Sequence, residues 1–355
     1  MPASATPHLR AEWSAHRTLE SNRTSRSPVD TPLFVAFAAA IIATLPCFAQ
    51  AQAWKPSRHL ELIAPSAAGG GSDSVARLVQ RVLQENKIVE VPLNVLNKAG
   101  AGGTVAWSSL NQYTGDGHHV AISTANLLTN YISGTSTLNY TDLTPVAQLF
   151  SEYAGVAVRA DSPIKSGKEL IEQLKRDPAA LSAAIGTTLG SVGHLALALA
   201  TKASGNDAKK LKAVVFPGAG NALTALLGSH VDLMASPVSN LVPHAADGKI
   251  RILAIAAPRR LGGALAQTPT FIEHGVNVDV DSLRGVVGPK GMTSVQVAYW
   301  EEALRKMTET KDWRSNLDRR LWVHSFTGAE GSRSALKTQY EEMRAGMAEL
   351  GLAKN

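Results

Sequence analysis

Short apolar runs alternate with amphipathic stretches along most of this chain, beginning at Leu60. Leu60 to Ala64 reads as a strand stopped by Pro65, after which the chain passes through small residues and Gly69, Gly70 and Gly71. Val75, Leu78, Val79, Val82 and Leu83 follow at i, i+3, i+4, i+7 spacing. That stripe predicts an amphipathic helix, with Ser72 or Asp73 placed to cap it. A second strand, glycine turn and helix is predicted over residues 91–110, and Val120 to Ser123 reads as a third strand that ends at Thr124-Ala125-Asn126.

From Pro145 the pattern changes. Val146 to Phe150 and Gly155 to Val158 read as paired extended segments, followed by a helix from Ser166 to Lys175 with Leu170, Ile171 and Leu174 on one face. Leu181 to Ile185 is a strand that runs into the turn Gly186 to His194 and then an apolar helix ending near Ala203, repeating the opening unit. Strands at 214–216, 231–235 and 250–256 alternate with helices at 221–227 and 238–246. Beyond Pro269 we expect a strand at 282–287, a helix at 294–307, a short strand at 321–325 and a final helix. The final helix carries Leu336, Tyr340, Met343, Met347 and Leu350 as a stripe expected to pack on the first domain. Alternation of this kind predicts an α/β protein with largely parallel sheets.

With 355 residues the chain is long enough for about two domains. A hydrophobic fraction of 45% and a charged fraction of 18% are those of an ordinary globular protein. The net charge of +6 is spread without a basic block or interleaved aromatics, which argues against a nucleic-acid partner. Leu33 to Leu45 is the one strongly apolar run, too short to span a bilayer comfortably, and Ala49-Gln50-Ala51 and Ala51-Gln52-Ala53 follow it as small-x-small motifs. We read residues 1–53 as a secretory leader cleaved near Ala53-Trp54, against the alternative of a retained anchor, although Met1 to Asp30 is long for an n-region. Cys47 is the only cysteine and falls inside that leader, so the mature chain is expected to hold no disulfide, thiolate nucleophile or cysteine-based metal site.

A strand, a glycine turn and a helix N-terminus with unpaired N–H groups together make an anion site. The turn at Gly69 to Gly71 contains no lysine, so its donors are backbone amides and hydroxyls, and we expect a substituent at Gly70 to block a carboxylate oxygen. The bland alternative is a tight connection that binds nothing. The turn Lys98 to Thr104 is glycine-rich, but Val105 stands where a dinucleotide fingerprint needs its third glycine, so it reads as a close-packing turn. Ser191 and His194 are three residues apart without a Gly-x-Ser-x-Gly elbow or an identifiable acid, so a catalytic pair is disfavoured. His194 is left either donating to a ligand oxygen or packed in a cleft wall. His118-His119 reads as a solvated turn, and Asp232 as a residue fixing a neighbouring loop. No motif has metal-ligand spacing and nothing asks for a cofactor.

From about Trp54 to the C-terminus the chain resembles the extracytoplasmic substrate-binding receptors of tripartite tricarboxylate transporters, the Bug receptors. The resemblance is carried by Ala64-Pro65 with Gly69-Gly70-Gly71-x-Asp73-x-x-Ala76-Arg77, by Lys98-Ala99-Gly100-Ala101-Gly102-Gly103-Thr104, and by Gly190 with His194-Leu195. Phe216-Pro217-Gly218, Ala225-Leu226-Leu227-Gly228-x-x-Val231-Asp232, Gly248-Lys249-Ile250-Arg251 and Arg284-Gly285-Val286 complete it. Many family members have an aromatic residue near Pro65 and an acid at the place of Ser236; Ala64 and Ser236 resemble the tricarboxylate-type branch. The family implies a two-lobed periplasmic binding protein fold, type 2-like, each lobe a mainly parallel sheet flanked by helices and hinged to the other. The lobes would be 54–153 with 280–355, and 154–279. It further implies a periplasmic, non-catalytic, monomeric receptor that closes on a small carboxylate and presents it to a membrane permease. The candidate ligand contacts are Ser66, Gly70, Gly71, Asp73, Thr124 and Asn126 on one lobe, and Thr187, Gly190, Ser191, His194 and Asp232 on the other. The competing readings are an enzyme of a small acid with His194 as base, and a stand-alone sensor for a signalling partner.

Overall fold

The computed structural model describes residues 53–354, and the expected leader, Ala53 apart, lies outside the described residues. The elements run β1 (Leu60–Ala64), α1 (Gly71–Glu85), β2 (Leu93–Asn97), α2 (Thr104–Asn111), β3 (His119–Ser123), α3 (Asn126–Ile132) and β4 (Thr144–Arg159). They continue as α4 (Gly167–Arg176), β5 (Ser182–Gly186), α5 (Val192–Ala203), β6 (Lys212–Phe216), α6 (Ala219–Leu227), β7 (Leu233–Pro237), α7 (Val242–Ala246) and β8 (Ile250–Ile255). The last are β9 (Asp281–Gly288), α8 (Ser294–Glu309), α9 (Lys311–Arg320), β10 (Val323–Thr327) and α10 (Ala329–Glu349). The apolar stripe of α1 is buried from Val75 to Leu83, each such side chain contributing about 1.5–3 kcal/mol. Local capping agrees with the pattern: Ser166 caps α4, Thr293 and Gln296 form a capping box on α8, and Thr310 caps α9.

Ten strands make one curled sheet in the order β2-β1-β3-β9-β4-β7-β5-β6, with β8 and β10 also on β4. The parallel pairs expected from the sequence lie on both flanks: β1 with β2 and β3, and β5 with β6 and β7. The centre differs. There β9 and β4 run antiparallel to their neighbours, because β4 passes between both flanks. The segments around Val146 and Gly155, expected to pair with each other, are two parts of this single strand of 16 residues. Thr144 to Tyr153 pairs with β9, and Ala154 to Arg159 with β7 and β8.

Where β4 changes partners it carries polar residues, and each has a partner from elsewhere in the chain. Glu152 is 2% exposed. Its Oε2 accepts from Arg284 Nη2 at 3.0 Å, and its Oε1 accepts from Trp322 Nε1 at 3.0 Å and from Ser239 Oγ. Ser151 Oγ donates to Asp281 Oδ2 at 2.9 Å. Apolar cores lie on either side: Phe150, Trp300, Trp313 and Trp322 pack with α1 and β1, and Leu195, Ala196 and Leu197 with β5 and β7. The stripe of α10 does not stay with the first of these. Leu336, Met343, Met347 and Leu350 join one cluster with Leu128 and Ile132 of α3 and with the α5 leucines, because α10 lies over both. Helix α9 was invisible to the apolar pattern, since only Trp313 and Leu317 of its ten residues are buried hydrophobics.

Candidate functional site

The rim at the carboxyl ends of the strands is where open α/β sheets bind ligands, and three turns of the first flank reach it. After β1, α1 opens at Gly71 with Gly70 as its N-cap, so Ser72 and Asp73 are inside the helix and do not cap it as expected. The cap is assembled at longer range. Ser66 Oγ accepts from the Asp73 N–H at 3.0 Å, while Asp73 Oδ2 accepts from the Gly69 N–H at 2.8 Å. Asp73 Oδ1 also accepts from Asn97 Nδ2 at 2.8 Å, and Arg77 lies 3.0 Å away. Burial pushes the Asp73 carboxyl up, but the bonds from Arg77, Gly69 and Asn97 outweigh it and leave the group below its ordinary value. Ser66 and Asp73 therefore shape the turn, their polar atoms already engaged.

The amides of Gly71 and Ser72, at the first two helical positions, find no acceptor among the described residues. Free amides at a helix N-terminus suit an anion, and the helix dipole favours one there. The nearby cations are engaged, Arg77 by Asp73 and Asn97, and Lys98 by Ser109. A Cβ at Gly70 would lie 2.9 Å from Ser66 Oγ and 3.0 Å from the Ala67 carbonyl, so it would break the turn itself. A Cβ at Gly71 meets only Asn240 Oδ1, at 3.9 Å.

The second turn holds Gly100, Gly102 and Gly103 at positive φ, and Gly103 lies so close to Trp107 that a Cβ would stand 2.7 Å from its ring. Asn126, at the start of α3, donates through Nδ2 to the Gly102 carbonyl at 3.2 Å and to Thr187 Oγ1 at 3.1 Å. This bond joins the two flanks directly. Thr124 Oγ1 accepts from the Asn126 N–H at 3.3 Å and so serves the turn. From the other flank, Thr187 is held at φ 78°, an uncommon conformation for a β-branched residue, and its N–H donates to the Phe216 carbonyl at 2.8 Å. Gly190, at φ 83°, donates from its N–H to His194 Nδ1 at 3.0 Å. Nδ1 is thus an acceptor, the proton is on Nε2, and burial pushes the ring down to about 4. A neutral imidazole with a proton on Nε2 is a hydrogen-bond donor, which is opposite to the base role considered above. Ser191 is the buried N-cap of α5 and donates from its N–H to the Thr188 carbonyl at 3.2 Å.

Two residues are placed differently. Asp232 accepts from the Ser182 N–H at 2.7 Å and from Ser182 Oγ at 2.6 Å. Ser182 starts β5 and Thr187 follows its end, so Asp232 is about 13 Å from the rim and is not brought to the others. His119 is not in a solvated turn. It is 4% exposed in β3, stacked on Tyr113 at 3.7 Å between ring centroids and paired with Asp116. Three residues stand outside the expected ligand contacts. Ser236, inside β7 near its carboxyl end, and Asn240, just beyond that strand, lie on the same rim, and Glu152 holds the intervening Ser239. The rule that placed Thr124 and Asn126 after β3 applies equally after β7 and would have found Asn240. Among the described residues no group of three potential ligands is placed to hold a metal ion, and no helix is long and apolar enough to cross a membrane.

The model of the tripartite tricarboxylate transporter family receptors matches residues 75–322. The chain is 28% identical over 327 residues to the UPF0065 protein in the gbd 5′ region of Cupriavidus necator, covering 90% of this chain and 95% of that one. Among solved structures it is similar to a TctC solute binding protein from Polaromonas, with a TM-score of 0.64 and 27% identity over 83% of this chain and 99% of that one. It is also similar to MatC from Rhodopseudomonas palustris with bound malate, with a TM-score of 0.72 and 25% identity over 82% of this chain and 99% of that one.

Proposed function

The chain belongs to the tripartite tricarboxylate transporter receptor family, and on that premise we propose that it captures a small di- or tricarboxylate in the periplasm and delivers it to a tripartite permease. Residues 54–153 with 280–355 form one lobe and 154–279 the other, and the ligand lies between them. One carboxylate is held by the Gly71 and Ser72 amides. Asn126 and Thr187 meet beside it, and His194 Nε2 is a further donor from the second lobe. What carries this reading is the pair of unsatisfied amides at a glycine turn, opposed across the rim by Asn240 and flanked by the Asn126–Thr187 bond. The bound malate of MatC supports the ligand class.

Moving a mostly open population to mostly closed requires the closed form to bind about 10⁴-fold more tightly, about 5.5 kcal/mol. Two cradle amides and two or three donors from the other turns, at about 1.5–3 kcal/mol for each bond to a charged group, supply that. The test is calorimetry of the mature chain against C3 to C8 mono-, di- and tricarboxylates, with mass spectrometry of whatever co-purifies. A 1:1 isotherm without turnover is expected. If none of these acids binds, or if a bound acid is converted, the proposal fails. Delivery is tested by uptake of the labelled acid into vesicles carrying the permease, which should require the receptor.

A further inference from the structure

Asn240 was not among the residues expected from the sequence, yet its Oδ1 is the one atom that a Cβ at Gly71 would meet, at 3.9 Å. Its orientation is fixed: Nδ2 donates to the buried Ser236 Oγ at 3.1 Å, which turns Oδ1 toward Gly71. The residue before it, Ser239, is tied to the buried Glu152 of β4, so the segment has little freedom to withdraw. A carbonyl oxygen beside a carboxylate site is an acceptor facing an acceptor. Once closure excludes water it is satisfied only if the ligand brings a donor, which beside the carboxylate of a simple organic acid is an O–H.

The same arrangement recurs at the second glycine turn. Asn130 commits Nδ2 to the Ala101 carbonyl and to Thr104 Oγ1, both at 3.1 Å, which leaves its buried Oδ1 without a donor. That oxygen lies 3.2 Å from the Cβ position of Gly102, and the buried Thr188 Oγ1 close by also has no partner. Both glycine turns therefore lie beside an oriented asparagine oxygen, and that of Asn130 is buried without a donor.

We propose that Asn240, oriented by Ser236, is a specificity-determining residue that selects hydroxy-carboxylates over their deoxy analogues. This deepens the carboxylate-receptor proposal and rests on it. A hydroxyl beside the bound carboxylate donates to Asn240 Oδ1, whereas an acid lacking it leaves that oxygen unpaired on closure and binds about 10- to 100-fold more weakly.

The experiment is calorimetry of the full mature chain with three matched pairs: lactate and propionate, malate and succinate, citrate and tricarballylate. In whichever pair binds, the hydroxy acid should bind at least about tenfold tighter. Asn240→Ala should shrink that preference to about threefold or less, chiefly by weakening the hydroxy acid, with an unchanged melting curve. Ser236→Ala, which frees the amide to turn, should reduce the preference less. Equal affinities within a pair, or a preference that survives Asn240→Ala, overturn the role of Asn240 while leaving the carboxylate reading standing. Failure of all six while another acid of the C3 to C8 series binds overturns the role of Asn240 alone, and failure of the whole series overturns both. Should Asn240→Ala lower the melting temperature, Asn240→Ser, which keeps a short hydroxyl acceptor and donor, must retain an intermediate preference or the proposal falls.

Discussion

Replacing Gly71 by alanine separates the cradle from the fold. Gly71 is the first residue of α1 and is not at positive φ, so alanine is conformationally acceptable there. The added methyl meets nothing closer than Asn240 Oδ1 at 3.9 Å. Gly→Ala at a compatible helical position stabilises by about 0.4–1 kcal/mol, or about 1–4 °C in Tm for a body of this size. On the proposed binding mode the methyl crowds the carboxylate oxygen at the Gly71 N–H, so one bond to a charged group is lost, about 1.5–3 kcal/mol. At 1.36 kcal/mol per decade the affinity should fall about 10- to 150-fold. Binding and stability thus move in opposite directions. Gly70→Ala is the control: its Cβ would lie 2.9 Å from Ser66 Oγ, so Tm and affinity should fall together. Calorimetry with malate and a thermal melt on the same samples decide the matter. If Gly71→Ala binds within threefold of wild type while Arg77→Ala or Lys98→Ala abolishes binding, a backbone cradle is wrong.

Three further outcomes are expected. His194 is held down to about 4 by burial, so the stability it contributes is full above 6.5 and is lost as pH falls toward 4. Asp281, pushed up to about 6 chiefly by burial, has the opposite sign: its contribution is present at low pH and is lost as pH rises through 6. Melting curves from pH 4 to 7 should therefore show Asp281→Asn losing more stability on acidification than wild type, and His194→Gln less; parallel curves would refute both assignments. Glu152→Gln leaves the Arg284 cation, 12% exposed, without its carboxylate and should cost about 3–5 kcal/mol in urea unfolding. A loss below about 1 kcal/mol would show that water replaces the carboxylate there. Finally, the small-angle scattering radius should shrink on saturation with a tight-binding acid, and identical radii would count against hinged lobes.

Much of the architecture was legible because burial writes itself into local period. The strand and helix units around β1, β3 and β5 and the stripe of α1 fell where their apolar residues put them. The crossover strand did not. Ser151 and Glu152 look like a break in the middle of β4, because the groups that satisfy them (Ser239, Arg284, Trp322 and Asp281) are distant in sequence. At the site the glycine turns were readable from composition, but the roles within them were not. Asp73 and Gly71 are two residues apart, yet one is enclosed by Gly69, Arg77 and Asn97 and the other is open to the rim, which only the folded turn decides.

Because β4 is unbroken from Thr144 to Arg159, its two parts share one frame. Side chains of a strand alternate faces with period two, so inserting a single residue between Tyr153 and Ala154 would reverse every side chain beyond it relative to those before. Val156 and Val158, now in the core, would then exchange faces with Ala157 and Arg159. Irregularities near Pro145, Gln148 and Val156 absorb local mismatch, but each is matched to a fixed partner. The halves of this molecule are therefore not interchangeable modules. A chimera that borrows one of them from a relative must take β4 whole, together with the strands on both sides that read its phase.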